Sequence, residues 1–471
     1  MQKHLEALRA IVGPQGLITE AGERRTYEIP QRHGEGKAAA VLRPANTREV
    51  SELLAYCTHH HLPVIAQGGN SGLVGGSTPD ASGSEFVLSL SRLNKTIAVD
   101  AVNRTVSVDA GVRLSALNAA LEPHGLWFPI DLGSDPAIGG MVATNTGGAR
   151  FIRYGDVRRN LRGIEVVLAD EHGSVLQLGS GLRKDNTGLD LKQLFVASNG
   201  ALGVITRAEL EVHRRPQQTS AALLVPRDDD AILELLTALE TGAGEYLSAF
   251  EGLSQGVLEH TLARFPQLTN PFGKNPIPDY SVLVELSRSW LAREGEQTLE
   301  DVMAGCVEPL LTSGLLSEAY IGREKDLWDI RHRLSEGLRS SGQVVGFDLS
   351  VRRADVPRFR RHMKTRLAEQ FPDFRVCDFG HIGDGGLHFN LLAKTPADAA
   401  RVAALREFVI GQTVGFGGSF SGEHGLGRAN QDWYDRYKPA EQRRFAGQIQ
   451  RLFAAGELGS VRFSGKDNIK R

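Results

Sequence analysis

The chain has 471 residues and a formal net charge of −2 at neutral pH. That length allows two or three domains with a sizeable core, and charge this even proposes neither nucleic acid nor an anionic membrane as a partner. No run of roughly eighteen apolar residues occurs, so no transmembrane segment is expected, and residues 1–18 lack the continuous apolar stretch of a secretory leader. Three cysteines, Cys57, Cys306 and Cys377, form no CxxC pair. They fit a reducing, cytoplasmic compartment and read as buried structural thiols, with peripheral membrane association left open.

Residues 2–12 read as a short amphipathic helix, and 38–42 as a strand leading into a helix over 48–60. There Val50, Leu53, Leu54 and Cys57 follow the i, i+3, i+4, i+7 stripe of a helix packed on a sheet. A short buried strand over 63–66 then runs into Gln67, Gly68, Gly69, Asn70, Ser71, Gly72 and Leu73. Such a loop exposes successive backbone N–H groups and can form an anion nest for a pyrophosphate. It is neither GxGxxG nor GxxxxGK[ST], so a nicotinamide fingerprint and a Walker loop are both poorly supported; the competing reading is an ordinary Gly-rich surface loop.

Strands over 86–90 and 105–111 and a helix near 113–124 come next. A second glycine region follows, carrying Pro129, Asp131, Gly133, Ser134, Gly139, Gly140, Thr144, Asn145, Gly147 and Gly148. Its small residues let backbone approach a flat or anionic ligand closely. A hairpin over 164–169 and 174–178 and strands over 202–206 and 208–213 lead to a boundary near Arg214-Arg215-Pro216. Beyond it, strands over 221–225, 281–287 and 345–351 alternate with helices over 229–241, 291–304, 328–338, 358–369, 400–413 and 439–454. This is an α+β pattern.

The richest chemistry lies in DFGHIGDGGLHFN from residue 378 and SFSGEHGLG from residue 419. His381 and His388 would face opposite ways along one straight strand, but the Gly383-Asp384-Gly385-Gly386 cluster between them is turn chemistry, and a strand–turn–strand could fold both imidazoles toward one point. With Glu423 they make two imidazoles and a carboxylate, a set that suits a catalytic zinc or similar divalent ion with a position open for substrate. His424 can move a proton near neutral pH. The bland alternative is a Gly-rich hairpin with two polar surface histidines.

Five stretches, PVIAQGGNSGLVGG (63–76), LGSDPAIGGMVATNTGGARFIRYGDVR (132–158), GLRKDNTGLDLKQLF (181–195), GHIGDGGLHFN (380–390) and SGEHGLG (421–427), together resemble the FAD-dependent D-2-hydroxyacid dehydrogenases. The likeness is strongest to the D-2-hydroxyglutarate and D-lactate branch of these vanillyl-alcohol-oxidase-type flavoproteins. It implies an FAD-binding portion (PCMH-type) of two α+β subdomains over 1–215, an antiparallel-sheet substrate (cap) domain over 216–424, and a segment over 425–471 returning to the first. It implies FAD held by Gln67 to Leu73 and the 129–148 region, with Gly155, Gly200, Val204 and Ile205 nearby. The absence of histidine over 67–76 implies that FAD is not covalently attached. It implies His381, His388 and Glu423 as metal ligands and His424 as base, with Arg331, Ser335 and Asn390 around a small 2-hydroxy acid.

The implied reaction takes the D-2-hydroxy acid to the 2-oxo acid, with a hydride to flavin N5 and electrons onward to a quinone or an electron-transfer flavoprotein. Homodimers are common in such a family. Gly346 stands where that branch usually has lysine, and Arg352 where proline is common, so Arg352 or Arg353 is a candidate replacement charge. Ser198-Asn199-Gly200-Ala201 replaces the usual Ser-Glu-Gly-Thr, and the usual C-terminal element is reduced to Ser464-Gly465-Lys466. Two enzyme alternatives stay open from residues alone: a metal-independent flavin oxidase of an alcohol or sugar, and a flavin-free zinc hydrolase using His381, His388 and Glu423 to activate water. A non-catalytic cofactor-binding protein is a third.

Overall fold

The structure, a computed structural model, describes residues 1–31 and 35–465, so Lys466 of the reduced C-terminal element lies outside the described residues. The chain divides into two compact units. The first comprises Met1–Thr146, Asp156–Arg214 and Glu423–Arg471; the second comprises Gly147–Gly155 and Arg215–Gly422.

In the first unit, a four-stranded sheet runs in the order Leu17–Ile18, Ala40–Leu42, Phe86–Ser89, Val64–Gln67. The last three are parallel, which requires a crossover, and helix Thr47–His59 supplies it. The helix starts where the Asn46 side chain accepts the Glu49 N–H, and it buries Val50, Leu53, Leu54 and Cys57 as its spacing predicts. A second, five-stranded antiparallel sheet orders Ile97–Asp100, Thr105–Asp109, Val204–Glu211, Leu161–Val167 and Val175–Leu178. One apolar core joins both sheets. The chain's end returns to this unit, where the Gly459 N–H donates to the Val64 carbonyl at 2.8 Å.

The second unit is built on an antiparallel eight-stranded sheet. Its order is Leu316–Gly322, Gln218–Pro226, Tyr280–Arg288, Leu247–Ser254, Phe379–Gly380, Gly386–Ala393, Val344–Ser350, with Phe374–Val376 pairing Gly386–Ala393. Helices Gln255–Arg264 and Glu324–Arg339 cover one face, packing Leu258, Leu327, Trp328 and Leu334 against Leu223, Ala249, Leu253 and Leu283. Helices Ala231–Gly242 and Leu299–Thr312 pack on the same strands.

The helix expected over 291–304 begins only at Leu299. Thr298 and Asp301 form a reciprocal capping box there, and Gly295 sits at φ 82°, so the preceding residues stay irregular. Among the elements not anticipated are helices Ala21–Glu28, Ile138–Thr144, Gln255–Arg264 and Gln431–Tyr437 and strands Ile97–Asp100, Leu247–Ser254 and Leu316–Gly322. Leu247–Ser254 is buried at every position, which erases the period-two alternation by which a strand is recognised. Cys57 and Cys377 are buried, and burial pushes both thiols up to about 12, but Cys306 is only half-buried. Among the described residues no helix is long and apolar enough to cross a membrane.

Candidate active site

The first unit holds the first glycine region and the second as far as Thr146. Gln67 ends strand Val64–Gln67 and is buried; its amide donates to the Tyr27 carbonyl at 2.9 Å and the Ser77 carbonyl at 2.8 Å, closing the base of the loop. Asn70, at φ 50°, donates to the Ile29 carbonyl at 3.0 Å and accepts from Ser77 at 3.1 Å. These two side chains hold the loop's shape; Gly68 and Gly69 pack closely against Ala137 and Arg113, Ser71 and Leu73 are half-buried, and Gly72 is exposed. Arg113 joins the two regions by donating to the Asp135 carbonyl at 2.8 Å and the Gly69 carbonyl at 3.4 Å.

Adjacent glycines in helix Ile138–Thr144 do different jobs. A Cβ on Gly139 would lie 2.7 Å from the Ala110 Cβ, so this glycine lets the helix close on the neighbouring backbone. A Cβ on Gly140 would meet nothing within 4 Å, and the same is true of Gly72 and Gly133. Open glycine faces of this kind fit a ligand that lies flat on backbone. Thr144 donates to the Gly140 carbonyl, and Asn145, at φ 54°, caps the helix while its side chain accepts from the Arg158 N–H and donates to Asp156. Pro129 is buried, Asp131 half-buried and Ser134 exposed. Gly200, at φ 72°, packs beside Ala66, and Val204 and Ile205 open a buried strand paired with Val167 and Val166. Gly147, Gly148 and Gly155 belong to the second unit, where the Phe151 N–H donates to the Gly148 carbonyl and the Gly155 N–H to the Phe151 carbonyl.

The second unit holds a buried charge cluster. Phe379 lies opposite His388 in the register of Phe379–Gly380 with Gly386–Ala393, and the turn between them brings the His381 and His388 rings to 5.2 Å between centroids. His381 Nδ1 is 2.6 Å from Oε1 of Glu251, a wholly buried residue of strand Leu247–Ser254. Glu251 Oε2 accepts from Arg331 Nε at 2.7 Å. Burial opposes the charge on Glu251, but the His381 and Arg331 charges and hydrogen bonds outweigh it and hold the carboxyl down at about 2. An ionised carboxylate only accepts, so Nδ1 of His381 is the donor, and Nε2 is the ring nitrogen that Glu251 leaves unused. This is the arrangement by which a carboxylate aims a metal-binding imidazole.

Around this cluster, the Arg331 guanidinium lies 5.0 Å from the Phe379 ring centroid. Ser335 follows one helical turn later, half-buried, with its carbonyl accepting from Arg339. Asn390 is nearly buried; its amide donates to the His388 carbonyl at 3.0 Å and its own carbonyl accepts the Cys377 N–H. Asp348 is the cross-strand partner of His388, and a Cβ on Gly422 would lie 2.9 Å from Asp348 Oδ1. Asp348 and Glu251 were not among the sequence candidates. The signal for each was a lone acid inside an apolar strand, in Phe347-Asp348-Leu349 and Phe250-Glu251-Gly252. Arg353 pairs with Glu240 at 2.6 Å and Arg352 is exposed. Gly422 ends the second unit and Glu423 resumes the first, in which His424 Nε2 is 3.7 Å from Glu423 Oε1.

The chain matches the family described as FAD binding domain over residues 38–179 and that described as FAD linked oxidases, C-terminal domain, over 215–453. It is 36% identical over 461 residues to the mitochondrial D-2-hydroxyglutarate dehydrogenase of Danio rerio, spanning 96% of this chain and 83% of that one. It is 32% identical over 405 residues to a D-2-hydroxyglutarate–pyruvate transhydrogenase of Saccharomyces cerevisiae, spanning 83% and 79%. A crystal structure of p-cresol methylhydroxylase with substrate bound aligns with a TM-score of 0.76 over 100% of this chain and 98% of that chain; at 15% identity this is a likeness of fold alone.

Proposed function

Since the chain belongs to the FAD-dependent D-2-hydroxyacid dehydrogenase family and has its vanillyl-alcohol-oxidase-type α+β fold, we propose that it oxidises D-2-hydroxyglutarate or a D-lactate-like acid with the help of a divalent metal ion, zinc. It is an FAD-linked oxidoreductase, and its substrate class is a D-2-hydroxy acid. The FAD families matched over both halves set aside a flavin-free hydrolase.

The observation that carries the metal reading is the clamp of Glu251 on His381 and Arg331. A wholly buried carboxylate that fixes the orientation of one imidazole through Nδ1, with a second imidazole 5.2 Å away between ring centroids, is the arrangement by which proteins aim metal-binding histidines. His381, His388 and Glu423 are the proposed ligands, and the donor chemistry of Asp348 adds it to the set. Bound FAD supplies a hydride acceptor, and a bound divalent ion supplies a Lewis acid for the substrate hydroxyl. FAD is proposed to be non-covalent and held by the two glycine regions.

Arg331 presents a guanidinium already oriented by Glu251 and takes the substrate carboxylate on its remaining donors. Ser335 and Asn390 flank the substrate. His424 accepts the hydroxyl proton on its imidazole, whose Nε2 lies 3.7 Å from Glu423 Oε1. Electrons then leave to a quinone or an electron-transfer flavoprotein.

The relatives' names favour D-2-hydroxyglutarate. The local chemistry favours a shorter monoacid: Gly346, opposite Asn390 in the register, offers no cation, and Arg353 is already paired. A panel of D- and L-2-hydroxy acids with an artificial acceptor, run with and without chelator, tests both readings. D-acids are expected to turn over and chelator to remove most of the rate, and D-lactate is expected to match or exceed D-2-hydroxyglutarate in kcat/KM. Full activity after verified metal removal contradicts the metal reading; a strong preference for the five-carbon diacid contradicts the shorter substrate.

A further inference from the structure

Strand Tyr280–Arg288 sends alternate side chains to opposite faces of its sheet. Leu283, Glu285 and Ser287 share the face covered by helix Glu324–Arg339; Val282, Val284, Leu286 and Arg288 share the other. On the first face, Glu285 receives Arg150 at 2.9 and 2.8 Å, the Trp328 indole at 2.8 Å and Ser248 at 2.5 Å. On the other, Arg288 is 3% exposed, yet its Nε and Nη2 have no hydrogen-bond partner. Its cross-strand neighbour Gln218 also leaves Oε1 buried and unpartnered, so the two do not satisfy each other. A buried cation with unmet donors is strongly disfavoured unless something else supplies an acceptor.

Arg288 lines a cavity of about 1080 Å³ between helices Ala231–Gly242 and Leu299–Thr312. That volume is at the upper end of small-molecule sites. Trp290 and Tyr246 stand on its wall with ring centroids 6.2 Å apart, and the Arg288 guanidinium is 5.8 Å from the Trp290 centroid. Trp290 is 44% exposed, a large apolar ring left in water beside the opening. Leu233, Val302 and Leu310 make an apolar lining, while Glu234, Glu296 and Asp301 add negative charge. Asp301 is engaged by Thr298 and Glu296 accepts the Arg293 N–H, so neither has turned to Arg288.

We propose that this cavity is a second ligand site, on the reverse face of the sheet from Glu251 and Arg331, for a small monocarboxylate with a flat apolar body. Nε and Nη2 of Arg288 are shielded from solvent in this conformation, so the carboxylate is taken by a guanidinium that swings into the cavity to offer two parallel hydrogen bonds, and the aromatic pair receives the body. The neighbouring acids disfavour a ligand with more than one negative charge, which sets aside nucleotides and phosphosugars. No residue of the proposed reaction lies in this cavity.

The test is calorimetric titration of the FAD-loaded full-length enzyme with 3-phenylpropionate, with 3-phenylpropionamide as the neutral control. The acid is expected to bind at least about tenfold more tightly than the amide. Two variants are expected to weaken it at least about tenfold while flavin reduction by a D-2-hydroxy acid stays within about twofold. Arg288→Met removes the charge at similar volume. Gly305→Phe fills the cavity from helix Leu299–Thr312, at a position where a Cβ meets nothing within 4 Å, and leaves Arg288 in place. Absence of binding to the wild type overturns the proposal, and so does acid binding that both variants leave intact, which places the probe elsewhere. If Arg288→Met fails to fold, Gly305→Phe decides alone.

Discussion

On one face of the second unit's sheet, Glu251 and Glu285 are wholly buried with their cations 2.7–2.9 Å away; on the reverse face, Arg288 is almost as deeply buried and two of its nitrogens meet no acceptor. Burial alone therefore does not distinguish these charges; partnership does. A charge whose partners are all supplied by the fold is already oriented when substrate arrives, and it is a positioning device. A charge whose partners are missing is completed only from outside.

Removing Glu251 breaks that comparison most severely. Glu251→Gln leaves Arg331 and His381 facing a neutral, wholly buried amide, an expected loss of about 3–5 kcal/mol of stability in denaturant unfolding. The carboxyl is held at about 2, below the unfolded value of about 4.3, so its contribution is complete above the unfolded value and is lost as pH falls through the folded one. The difference between wild type and variant is therefore expected to shrink as pH falls from about 4 toward 2. A pH-independent difference, or one under about 1 kcal/mol, counts against the clamp.

Glu285 and Arg288 sharpen the contrast within one strand. Glu285→Gln is expected to cost about 3–5 kcal/mol because Arg150 loses its buried anion. Arg288→Met is expected to change stability by less than about 1 kcal/mol or to raise it, since no pair is broken. Equal losses in thermal or chemical unfolding erase the distinction.

A smaller effect separates the neighbouring glycines of the first unit. Gly139→Ala forces a Cβ against Ala110 and is expected to cost about 1–3 kcal/mol with or without FAD. Gly140→Ala meets open space and is expected to leave the FAD-free protein unchanged or up to about 1 kcal/mol more stable, while weakening FAD binding measured by fluorescence titration. Unaltered FAD affinity in Gly140→Ala removes that glycine from the cofactor surface.

Much of this was legible because the chemistry announces itself locally. The stripe of Val50, Leu53, Leu54 and Cys57 reads as a buried helix face without any knowledge of distant contacts, whereas the loop over 67–76 reads only as glycine-rich, and its packing on Ala137 and Arg113 is not legible in it. What escaped depends on neighbours far away in sequence. Glu251 meets His381 and Arg331 across 130 and 80 positions, and its strand is buried on both faces, so no alternation marks it. The helix expected over 291–304 starts late because of Gly295 and the Thr298 cap, which that expectation overlooked. Nothing in Ser287-Arg288-Ser289 distinguishes an unpartnered arginine from a solvated one; only the packed cavity does.

The central claim is that a D-2-hydroxy acid surrenders a hydride to FAD while His424 takes its hydroxyl proton. Anaerobic single-turnover reduction of the bound flavin, followed as bleaching near about 450 nm, tests it in wild type and His424→Ala. The account predicts rapid bleaching by the D-acid in wild type and reduction slowed by about 10²–10⁴-fold in a variant that keeps its FAD. Wild-type flavin that stays oxidised, or a His424→Ala rate within a few-fold of wild type, contradicts it.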